Sequence, residues 1–339
     1  MKETLTFDDV LLVPGYSEIK SRSEITLSME VPKACHLNIP IVSSPMDTVT
    51  ESEMIIAMAV SGGLGIVHRY NSIEDQMKIV SDARKMLPSN AGIGAAIGVT
   101  GDFVQRAEAL YDEGANILCL DIAHGHHILM KNALTEIRAS LGDSVHLMAG
   151  NVATLSAFND LADWGADSIR VGVGGGSICS TRVMTGHGVP TLQSVIDCSK
   201  SDRDVILVAD GGIKQTGDVV KAIAAGADLV MLGSMLAGTD EAPGETFYVD
   251  GIKSKSYRGM ASAAAQIDWR GHVASEEGVS HRVSAKGPVG KTLESIEKAL
   301  RSGMSYSGAM NLTKFQAMAN MIRITQASLV ESKPHILQG

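Results

Sequence analysis

One cysteine of this sequence stands where a nucleophile could act. Cys179 lies in the glycine-rich segment 172–182, with Ser177, Thr181 and Arg182 beside it. A cysteine attacks as its thiolate, and access and nearby positive charge govern how readily it does so. The segment therefore predicts nucleophilic chemistry at Cys179. A lone cysteine elsewhere is usually a small buried hydrophobic residue, which is our expectation for Cys35, Cys119 and Cys198.

Two further glycine-containing pairs could bind an anion. Residues 211–212 and 233–234 expose backbone N–H groups, which could surround a phosphate together with the hydroxyl of Ser177. Asp210, directly before the first pair, could accept hydrogen bonds from the two hydroxyls of a ribose. The alternative is that the glycines only permit tight turns between strands and helices. In segment 174–176, glycines also free carbonyl oxygens that could ligate a monovalent cation.

A phrase that recurs three times indicates which elements position these residues. Gly-Ala and a polar residue lead into a short apolar run at 114–121, 165–172 and 226–233. An amphipathic helical stretch precedes each copy, at 103–113, 156–164 and 216–225. Two strand–helix units fit between successive copies. Strands that alternate with helices at this pace imply parallel pairing through right-handed crossovers.

Further apolar runs bring the series close to eight strands. They lie at 39–43, 63–67, 92–99, 145–149 and 205–209. We therefore predict an α/β fold, a single-domain (β/α)8 TIM barrel over residues 1–339. A doubly wound sheet would carry a nucleotide fingerprint, but the run from Gly172 has Ser177 at the third glycine position and continues as a poor helix start. In a barrel the active site lies at the carboxyl ends of the strands.

The composition excludes several classes of function. The chain has 339 residues, with 29 Lys and Arg against 38 Asp and Glu, a net charge of −9. An acidic chain repels phosphate backbones, so we expect no nucleic acid partner. Residues 1–9 contain no apolar signal core and no run reaches about 18 apolar residues, so we expect no membrane insertion. Four scattered cysteines without a disulfide pattern favour a reducing, cytoplasmic location.

Four motifs resemble those of the IMP dehydrogenase/GMP reductase family, and the resemblance covers nearly the whole chain. The segment 171–182 resembles the catalytic cysteine loop of the family, with Gly175 where the family commonly has Ala, Pro or Ser. The segments 43–50, 209–213 and 257–260 resemble its other signatures. The family has a barrel fold, which agrees with the fold predicted from the repeated phrase.

The resemblance also implies a role for each site residue. A catalytic loop at 172–188 and a short flap region at 261–283 would carry the catalytic residues, which are Cys179, the nucleophile at purine C2, with Thr181 and Glu277. The substrate-binding residues would be Ser44, Met46, Ser177, Asp210, Gly211, Gly212, Gly233, Ser234, Tyr257, Gly259 and Met260. The residues facing the nicotinamide cofactor would be Asp121, Asn151 and Gly172. Potassium would bind to the carbonyl groups of Gly174, Gly176 and Cys179.

The resemblance extends to assembly. In IMP dehydrogenases a C-terminal segment joins the potassium site, and Glu331-Ser332 of this chain resembles it. Barrels of this family form square homotetramers. The resemblance therefore implies a homotetramer or an octamer of this chain.

The two branches of the family run different chemistry, although both form a covalent purine adduct on the cysteine. An IMP dehydrogenase passes hydride from IMP to NAD and hydrolyses the adduct to XMP, using an Arg-Tyr pair on a mobile flap to activate water. A GMP reductase expels ammonia from GMP and takes hydride from NADPH, which gives IMP. It does without that flap pair.

The flap region of this sequence favours the reductase. No Arg-Tyr dipeptide occurs between Met260 and Glu277, and the segment leaves little room for a flap that closes over the site. Glu277 and Thr181 take the places of the relay that passes a proton to the departing amine in GMP reductases, although dehydrogenases have a comparable pair. We therefore predict an NADPH-dependent GMP reductase that binds GMP and IMP.

Other segments resemble the dehydrogenases, so two alternatives stay open. These segments are 65–68, 238–245 and 331–335. The chain would then be an IMP-dehydrogenase-like GMP reductase. The regulatory CBS modules of most dehydrogenases are expected to be missing, since only 86–94 separates helix from strand at their insertion point. The first alternative is an NAD-dependent IMP dehydrogenase, and the second is an inactive member that binds a purine nucleotide as a regulator.

Overall fold

Eight parallel strands close into a barrel at the centre of the computed structural model, which describes residues 3–249, 251–274 and 276–332. The barrel strands are β1 (Ile41–Ser43), β2 (Leu64–Val67), β3 (Gly94–Ile97), β4 (Ile117–Asp121), β5 (His146–Val152), β6 (Ser168–Val171), β7 (Ile206–Asp210) and β8 (Leu229–Leu232). Each pairs in parallel with the next, and β8 closes the ring against β1, with Val230 opposite Ile41. The predicted (β/α)8 barrel is confirmed, and the open, doubly wound sheet is excluded.

A helix follows each barrel strand and packs on the outside of the ring. These helices are α1 (Ser52–Val60), α2 (Ile73–Met86), α3 (Phe103–Asp112), α4 (Ile128–Leu141), α5 (Leu155–Asp163), α6 (Thr191–Cys198), α7 (Thr216–Ala224) and α8 (Val289–Tyr306). Side-chain caps start several of them: Ser72 accepts from the Asp75 N–H before α2, and Thr154 from the Ala157 N–H before α5. The helical stretches predicted at 103–113, 156–164 and 216–225 coincide with α3, α5 and α7.

The repeated phrase marks the starts of three alternate strands. Its glycine has a left-handed φ in each copy, between 101° and 109°, where glycine avoids the strain that a Cβ brings. The polar residue that follows, Asn116, Asp167 or Asp228, accepts a hydrogen bond from the backbone N–H of Ile93, Leu147 or Leu207, in each case at 2.8 Å. The phrase therefore ties the start of β4, β6 and β8 to the preceding strand.

Apolar side chains fill both faces of the barrel wall. Inside the ring lies a buried cluster that includes Val42, Ile66, Met148, Val208 and Met231. A larger cluster lies between the strands and the helices. Because helices cover the outer face, the strands are buried on both sides, and this is why they read as continuous apolar runs rather than alternating ones.

Several segments lie outside the ring. Near the amino terminus are the 3-10 turns Phe7–Asp9 and Arg22–Glu24, the strand Val10–Leu12 and the paired strands Met29–Val31 and Cys35–Leu37. After β8 come the three antiparallel strands Thr246–Val249, Ile252–Arg258 and Ser280–Ser284, and the helix Ala263–Arg270, which we call the flap helix. The last elements are the helices Leu312–Met318 and Gln326–Glu331 and the strand Met321–Arg323, which pairs with Val10–Leu12.

Two connections bear on the sequence predictions. Residues 87–93 join α2 to β3 at the amino-terminal end of the barrel, the face opposite the predicted site. Residues 333–335 of the predicted C-terminal segment lie outside the described residues. Among the residues that are described, no helix combines the length and the apolar character needed to cross a membrane.

Candidate active site

A cleft of about 320 Å³ opens at the carboxyl ends of the barrel strands. The predicted site residues all line it: Ser44, Met46, Asp121, Asn151, Gly172, Gly174, Gly176, Ser177, Cys179, Thr181, Asp210, Gly211, Gly212, Gly233, Ser234, Tyr257, Gly259, Met260 and Glu277. The fold thus brings together residues from the carboxyl ends of six of the eight barrel strands, and Arg69 and Tyr70, which also line the cleft, follow a seventh strand, β2. Sequence reasoning assigned no role to three further lining residues with polar or aromatic side chains, Arg69, Tyr70 and Arg170.

The cysteine loop leaves β6 through a tightly packed glycine segment. A Cβ on Gly172 would lie 1.9 Å from the Asp210 carbonyl oxygen, and one on Gly175 would lie 2.3 Å from Thr191 Oγ1. Both positions therefore exclude larger residues, which accounts for glycine at 175. The loop ends in a short helix, Thr181–Thr185, although the sequence predicted a poor helix start here. Ser180, the residue before this helix, makes no side-chain cap hydrogen bond.

Cys179 is exposed to the cleft and begins a series of hydrogen bonds. Its Sγ lies 3.2 Å from Thr181 Oγ1, and the Thr181 hydroxyl donates to Glu277 Oε2 at 2.8 Å. With the threonine proton directed at the carboxylate, its oxygen is left to accept from the thiol. The three predicted catalytic residues are thus connected in one direction, from sulfur to carboxylate. Arg182 is the positively charged residue expected beside Cys179. Its guanidinium donates a hydrogen bond to the Val189 carbonyl rather than to a group of the relay.

The flap region reaches the cysteine despite its short length. The Ser180 N–H donates to the Glu277 carbonyl, and Cys179 lies opposite Gly278 in an isolated antiparallel bridge. This backbone pairing holds the Glu277 side chain beside Thr181. The short segment thus ends packed directly against the cysteine loop, through Gly278.

The flap helix is fastened on the other side of the cleft. Arg258 donates to Asp47 at 2.7 Å and to Asp268 of the flap helix at 2.5 Å. Trp269 of the same helix stacks on Tyr70, with the ring centroids 5.8 Å apart. These contacts join the flap helix to the ends of β1 and β2.

A buried arginine organises the floor of the cleft. Arg170 is 6% exposed and donates to Asp121 at 2.6 Å and to Asp210 at 2.9 Å. Burial disfavours its charge, but the carboxylate of Asp121 and the groups of Cys119 and Asp210 outweigh burial and raise the pKa of the guanidinium. Asn151 donates to the same Asp210 oxygen, Oδ2, at 2.8 Å. Asp210 Oδ1 is the carboxylate oxygen left for a ligand hydroxyl.

Backbone donors collect at the far end of the cleft. The N–H groups of Gly212, Ser234 and Met235 make no backbone hydrogen bond within the described part of the chain. Tyr257 is buried there and bonds to Ser177, and burial raises the pKa of its phenol although that bond opposes the rise. A Cβ on Gly233 would lie 3.0 Å from Tyr257 Oη, so glycine lets the hydroxyl approach. Such an array of N–H and hydroxyl donors suits a phosphate.

The remaining predicted ligands and cysteines have the following environments. The carbonyls of Gly174 and Cys179 accept no hydrogen bond from described residues, whereas that of Gly176 accepts from the Cys179 N–H at 3.1 Å. Within the described residues, no group of three or more His, Cys, Asp or Glu side chains is placed to hold a metal ion. The other cysteines are buried as predicted, and burial raises the pKa to about 11 for Cys35 and about 12 for Cys119 and Cys198.

Fold and site together define a class: (β/α)8-barrel enzymes with an exposed cysteine in a loop at the carboxyl ends of the strands. Comparison with known proteins narrows the class. A family model for the IMP dehydrogenase / GMP reductase domain matches residues 4–335. The chain therefore belongs to the IMP dehydrogenase/GMP reductase family, and it is a purine nucleotide oxidoreductase.

Relatives from both branches are about equally similar. An inosine-5′-monophosphate dehydrogenase of Nitrosopumilus maritimus is 34% identical, over 98% of this chain and 98% of its own length. A GMP reductase of Leishmania major is 34% identical, over 99% of this chain and 97% of its own. A crystal structure of a GMP reductase variant from Trypanosoma brucei, in complex with guanosine 5′-monophosphate, has a TM-score of 0.93 and 32% identity, over 99% of this chain and 98% of that one.

Proposed function

We propose that this protein is an NADPH-dependent GMP reductase, which converts GMP to IMP and ammonia. The observation that carries the proposal is the hydrogen-bonded series from Cys179 through Thr181 to Glu277, in a cleft whose flap segment has no Arg-Tyr pair. The structural likeness to a GMP reductase that binds guanosine 5′-monophosphate gives further support.

The reaction starts at Cys179. Its thiol proton passes to the Thr181 oxygen as Thr181 gives its own proton to Glu277, and the sulfur adds to purine C2. The C2–N bond then breaks, the proton returns through Thr181 to the departing amine, and ammonia leaves. The purine stays bonded to sulfur. When the C–S bond breaks after reduction at C2, IMP leaves and sulfur keeps the electron pair as the thiolate.

The cleft offers groups that fit a nicotinamide cofactor. Arg69 Nε is buried without a hydrogen bond and lies 3.8 Å from Asp121 Oδ2, so a donor and an acceptor are available side by side for a carboxamide. Asp121, Asn151 and Gly172 would hold the nicotinamide here. When bound, NADPH supplies the hydride that reduces C2. Arg170 would keep Asp121 and Asp210 in place during the reaction.

The competing reaction needs a group that activates water on the adduct. Arg270 of the flap helix and Glu277 are the first candidates. The Arg270 guanidinium bonds to Gln266 and to the His272 carbonyl, and Arg270 does not line the cleft. Glu277 lines the cleft, but its carboxylate accepts the Thr181 hydroxyl and so belongs to the proton relay. This arrangement favours loss of ammonia over hydrolysis, and it supports the reductase over the IMP dehydrogenase alternative.

The test follows the near-ultraviolet absorbance of the reduced nicotinamide with purified protein. One cuvette holds GMP with NADPH, a second holds GMP with NADH, and a third holds IMP with NAD. We expect absorbance to fall fastest in the first, with IMP and ammonia formed. Cys179→Ala should abolish this turnover and leave GMP binding largely intact, because only the nucleophile is lost.

Each other outcome identifies an alternative. Absorbance that rises in the third cuvette, with XMP formed, contradicts the reductase and identifies an IMP dehydrogenase. Nucleotide binding without turnover in any cuvette identifies an inactive regulator. Equal rates with NADH and NADPH would overturn the cofactor assignment alone.

Two further properties belong to the same proposal. The carbonyls of Gly174, Gly176 and Cys179 would bind potassium, so turnover should be faster in potassium chloride than in choline chloride at equal ionic strength. The protein would assemble as a homotetramer or an octamer in the cytoplasm, with Glu331-Ser332 near a neighbouring loop. Light scattering of the purified protein measures the mass of the particle and so distinguishes a homotetramer from an octamer.

A further inference from the structure

Among the described residues, no lysine or arginine lines the phosphate end of the cleft. The arginines among the lining residues are Arg69 and Arg170, and Arg170 is committed to Asp121 and Asp210 on the floor. The backbone donors of Gly212 and Ser234 are neutral. A phosphate bound by these neutral donors, which carries up to two negative charges, would gain from a positive charge placed outside the lining.

Lys286 lies directly behind the backbone that forms this end. Its Nζ donates to the Ser234 carbonyl at 2.6 Å and to the Met235 carbonyl at 3.2 Å. The Ser234 carbonyl shares its peptide group with the Met235 N–H. An ammonium bound to that oxygen polarises the peptide group, so its N–H becomes a stronger donor toward an anion.

The backbone around Lys286 is itself hydrogen-bonded to the same loop. The Lys286 N–H donates to the Gly238 carbonyl at 2.9 Å, and the Asp240 N–H donates to the Gly287 carbonyl at 3.0 Å. The segment 285–287 is thus hydrogen-bonded to the loop from Gly233 to Ala242, which we call the phosphate loop. The Lys286 side chain is held by its two carbonyl acceptors, those of Ser234 and Met235.

A second lysine holds the other end of the same loop. Lys255 is 7% exposed, and its Nζ donates to the carbonyls of Thr239, Asp240 and Ala242 at 3.0, 3.0 and 2.6 Å. Lys255 lies on the same strand as Tyr257, two residues before it. The loop from Gly233 to Ala242 is therefore held by lysine ammonium groups at both ends.

The two lysines differ in how far carboxylates compensate their charge. Within the described residues, no carboxylate lies within ion-pair distance of Lys286 or Lys255, whereas their neighbour Lys253 lies 3.8 Å from Asp240 Oδ1. Burial lowers the pKa of Lys255, and Asp240, Glu53 and Glu241 are near enough to oppose that change. Burial lowers the pKa of Lys286, with no acidic group to oppose it. Lys286 is exposed to solvent as a whole residue, and its ammonium makes no ion pair among the described residues, so its charge is available to an anion bound at the neighbouring N–H groups.

We propose that Lys286 is a positioning residue for the nucleotide phosphate: bound to the Ser234 and Met235 carbonyls, it orients and polarises the phosphate loop and supplies the positive charge that the lining lacks. Lys255 holds the far end of the loop in register. The inference rests on the proposed function only in placing a phosphate at this end, and it holds for either direction of the reaction.

The experiment is a cycle that removes the lysine charge and the phosphate in turn. Calorimetry gives the dissociation constants of IMP and inosine for the wild-type protein and for Lys286→Met. We expect the preference for IMP over inosine to fall about tenfold in the variant, with inosine binding unchanged. Lys286→Arg should keep the preference. Lys253→Met removes a neighbouring charge that touches no carbonyl of the loop, and it should behave as wild type.

The outcomes separate the two proposals. If wild-type protein prefers IMP and Lys286→Met keeps the full preference, the role of Lys286 is refuted and the proposed function stands. If wild-type protein shows no preference for IMP over inosine, the phosphate site itself is wrong and both proposals fail. If both ligands weaken equally in Lys286→Met, or if its melting temperature collapses while Lys286→Arg also loses the preference, the lysine is merely structural.

Discussion

Thr181 Oγ1 stands between a sulfur and a carboxylate oxygen, and this position decides which way a proton can travel. A hydroxyl has one proton to give, and Thr181 gives it to Glu277. The thiol of Cys179 must then be the donor on the other side. The same pair that accepts the thiol proton can later return it to an amine that leaves from C2.

Replacing Glu277 by Gln should slow loss of the amine by about 100-fold, because the amide cannot take up and return the proton. Hydride transfer to a preformed adduct should slow much less. Rapid quenching of a single turnover, with ammonia and IMP measured separately, distinguishes the two steps. Glu276→Gln, at the exposed neighbouring carboxylate, is the matched control and should leave both steps unchanged. Equal slowing of both steps in Glu277→Gln would contradict the relay.

Arg170 shows what the sequence reasoning missed. It stands inside the apolar run that forms β6, and a charged residue within a barrel strand is a signal for a buried ion-pair partner. Its partners Asp121 and Asp210 lie 49 and 40 residues away in sequence. The residues at the strand ends could be predicted because the barrel collects them at one face, whereas the pairing of their charges depends on side-chain packing inside the ring.

Arg170→Met should lower the free energy of unfolding by about 3–5 kcal/mol, because it leaves Asp210 without its counter-charge and Asp121 with only the more distant Arg69. Urea denaturation of wild type and variant gives this difference. Arg203, which pairs with Asp163 and Asp202 at the surface, offers the comparison, and Arg203→Met should change stability little. Similar losses of stability in the two variants would mean that the Arg170 ion pairs stabilise the fold no more than a surface ion pair does.

The barrel strands could be predicted from one repeated phrase, because Gly-Ala-Asx has the same structural role in each of its three copies. Glycine ends a helix, and the polar side chain accepts from the preceding strand. The phrase does not reveal the charge environment of each copy. Asn116 is neutral, Asp167 pairs with Lys33 and Arg138, and Asp228 has Gln316 as its side-chain donor.

The two aspartates should respond to amide substitution with opposite signs. Burial raises the pKa of Asp228 in spite of bonds from the Leu207 N–H and Gln316, so its charged form costs stability at neutral pH. Burial also opposes ionisation of Asp167, but bonds from Lys33, the Leu147 N–H and Arg138 outweigh it and lower its pKa. At pH 7 we expect Asp228→Asn to raise the free energy of unfolding by about 1 kcal/mol and Asp167→Asn to lower it by about 2 kcal/mol.

The pH dependence checks the cause. The destabilisation caused by ionised Asp228 is lost as pH falls through its raised pKa. The increase in the free energy of unfolding in Asp228→Asn should therefore shrink toward zero at about pH 4. The contribution of Asp167 is present above its unfolded pKa and is lost as pH falls through its lowered one. Urea denaturation at pH 7 and at about pH 4 measures the change for Asp228→Asn. The loss of stability in Asp167→Asn should largely persist at the lower pH, because the pKa of Asp167 is lowered from its ordinary value. A gain in Asp228→Asn that persists at the lower pH would point to packing rather than charge.

The whole barrel takes part in the site, since its lining follows seven of the eight strands and includes the flap region. Nucleotide binding should therefore stabilise the entire fold rather than one loop. The barrel and the list of lining residues could be predicted because topology fixes which loops meet. The fit of the flap could not, because it depends on the Gly278 pairing and on the stacking of Trp269 on Tyr70.

We expect GMP at about 100 times its dissociation constant to raise the free energy of unfolding by about 2.7 kcal/mol, as ligand linkage requires. Guanosine at the same concentration should raise it less, because it lacks the phosphate. Thermal melting with each ligand measures the effect, with adenosine as the control for an unrelated purine nucleoside. A melting temperature that does not move with saturating GMP would contradict binding to the folded barrel.

The connection between α2 and β3 makes the barrel suitable for protein engineering. Pro88, Ser89 and Asn90 are exposed, and they lie on the face opposite the cleft. A fluorescent protein spliced between Ser89 and Asn90 would project away from the nucleotide entrance and leave it open. The chain could therefore carry an inserted reporter domain at this position and still bind its nucleotide.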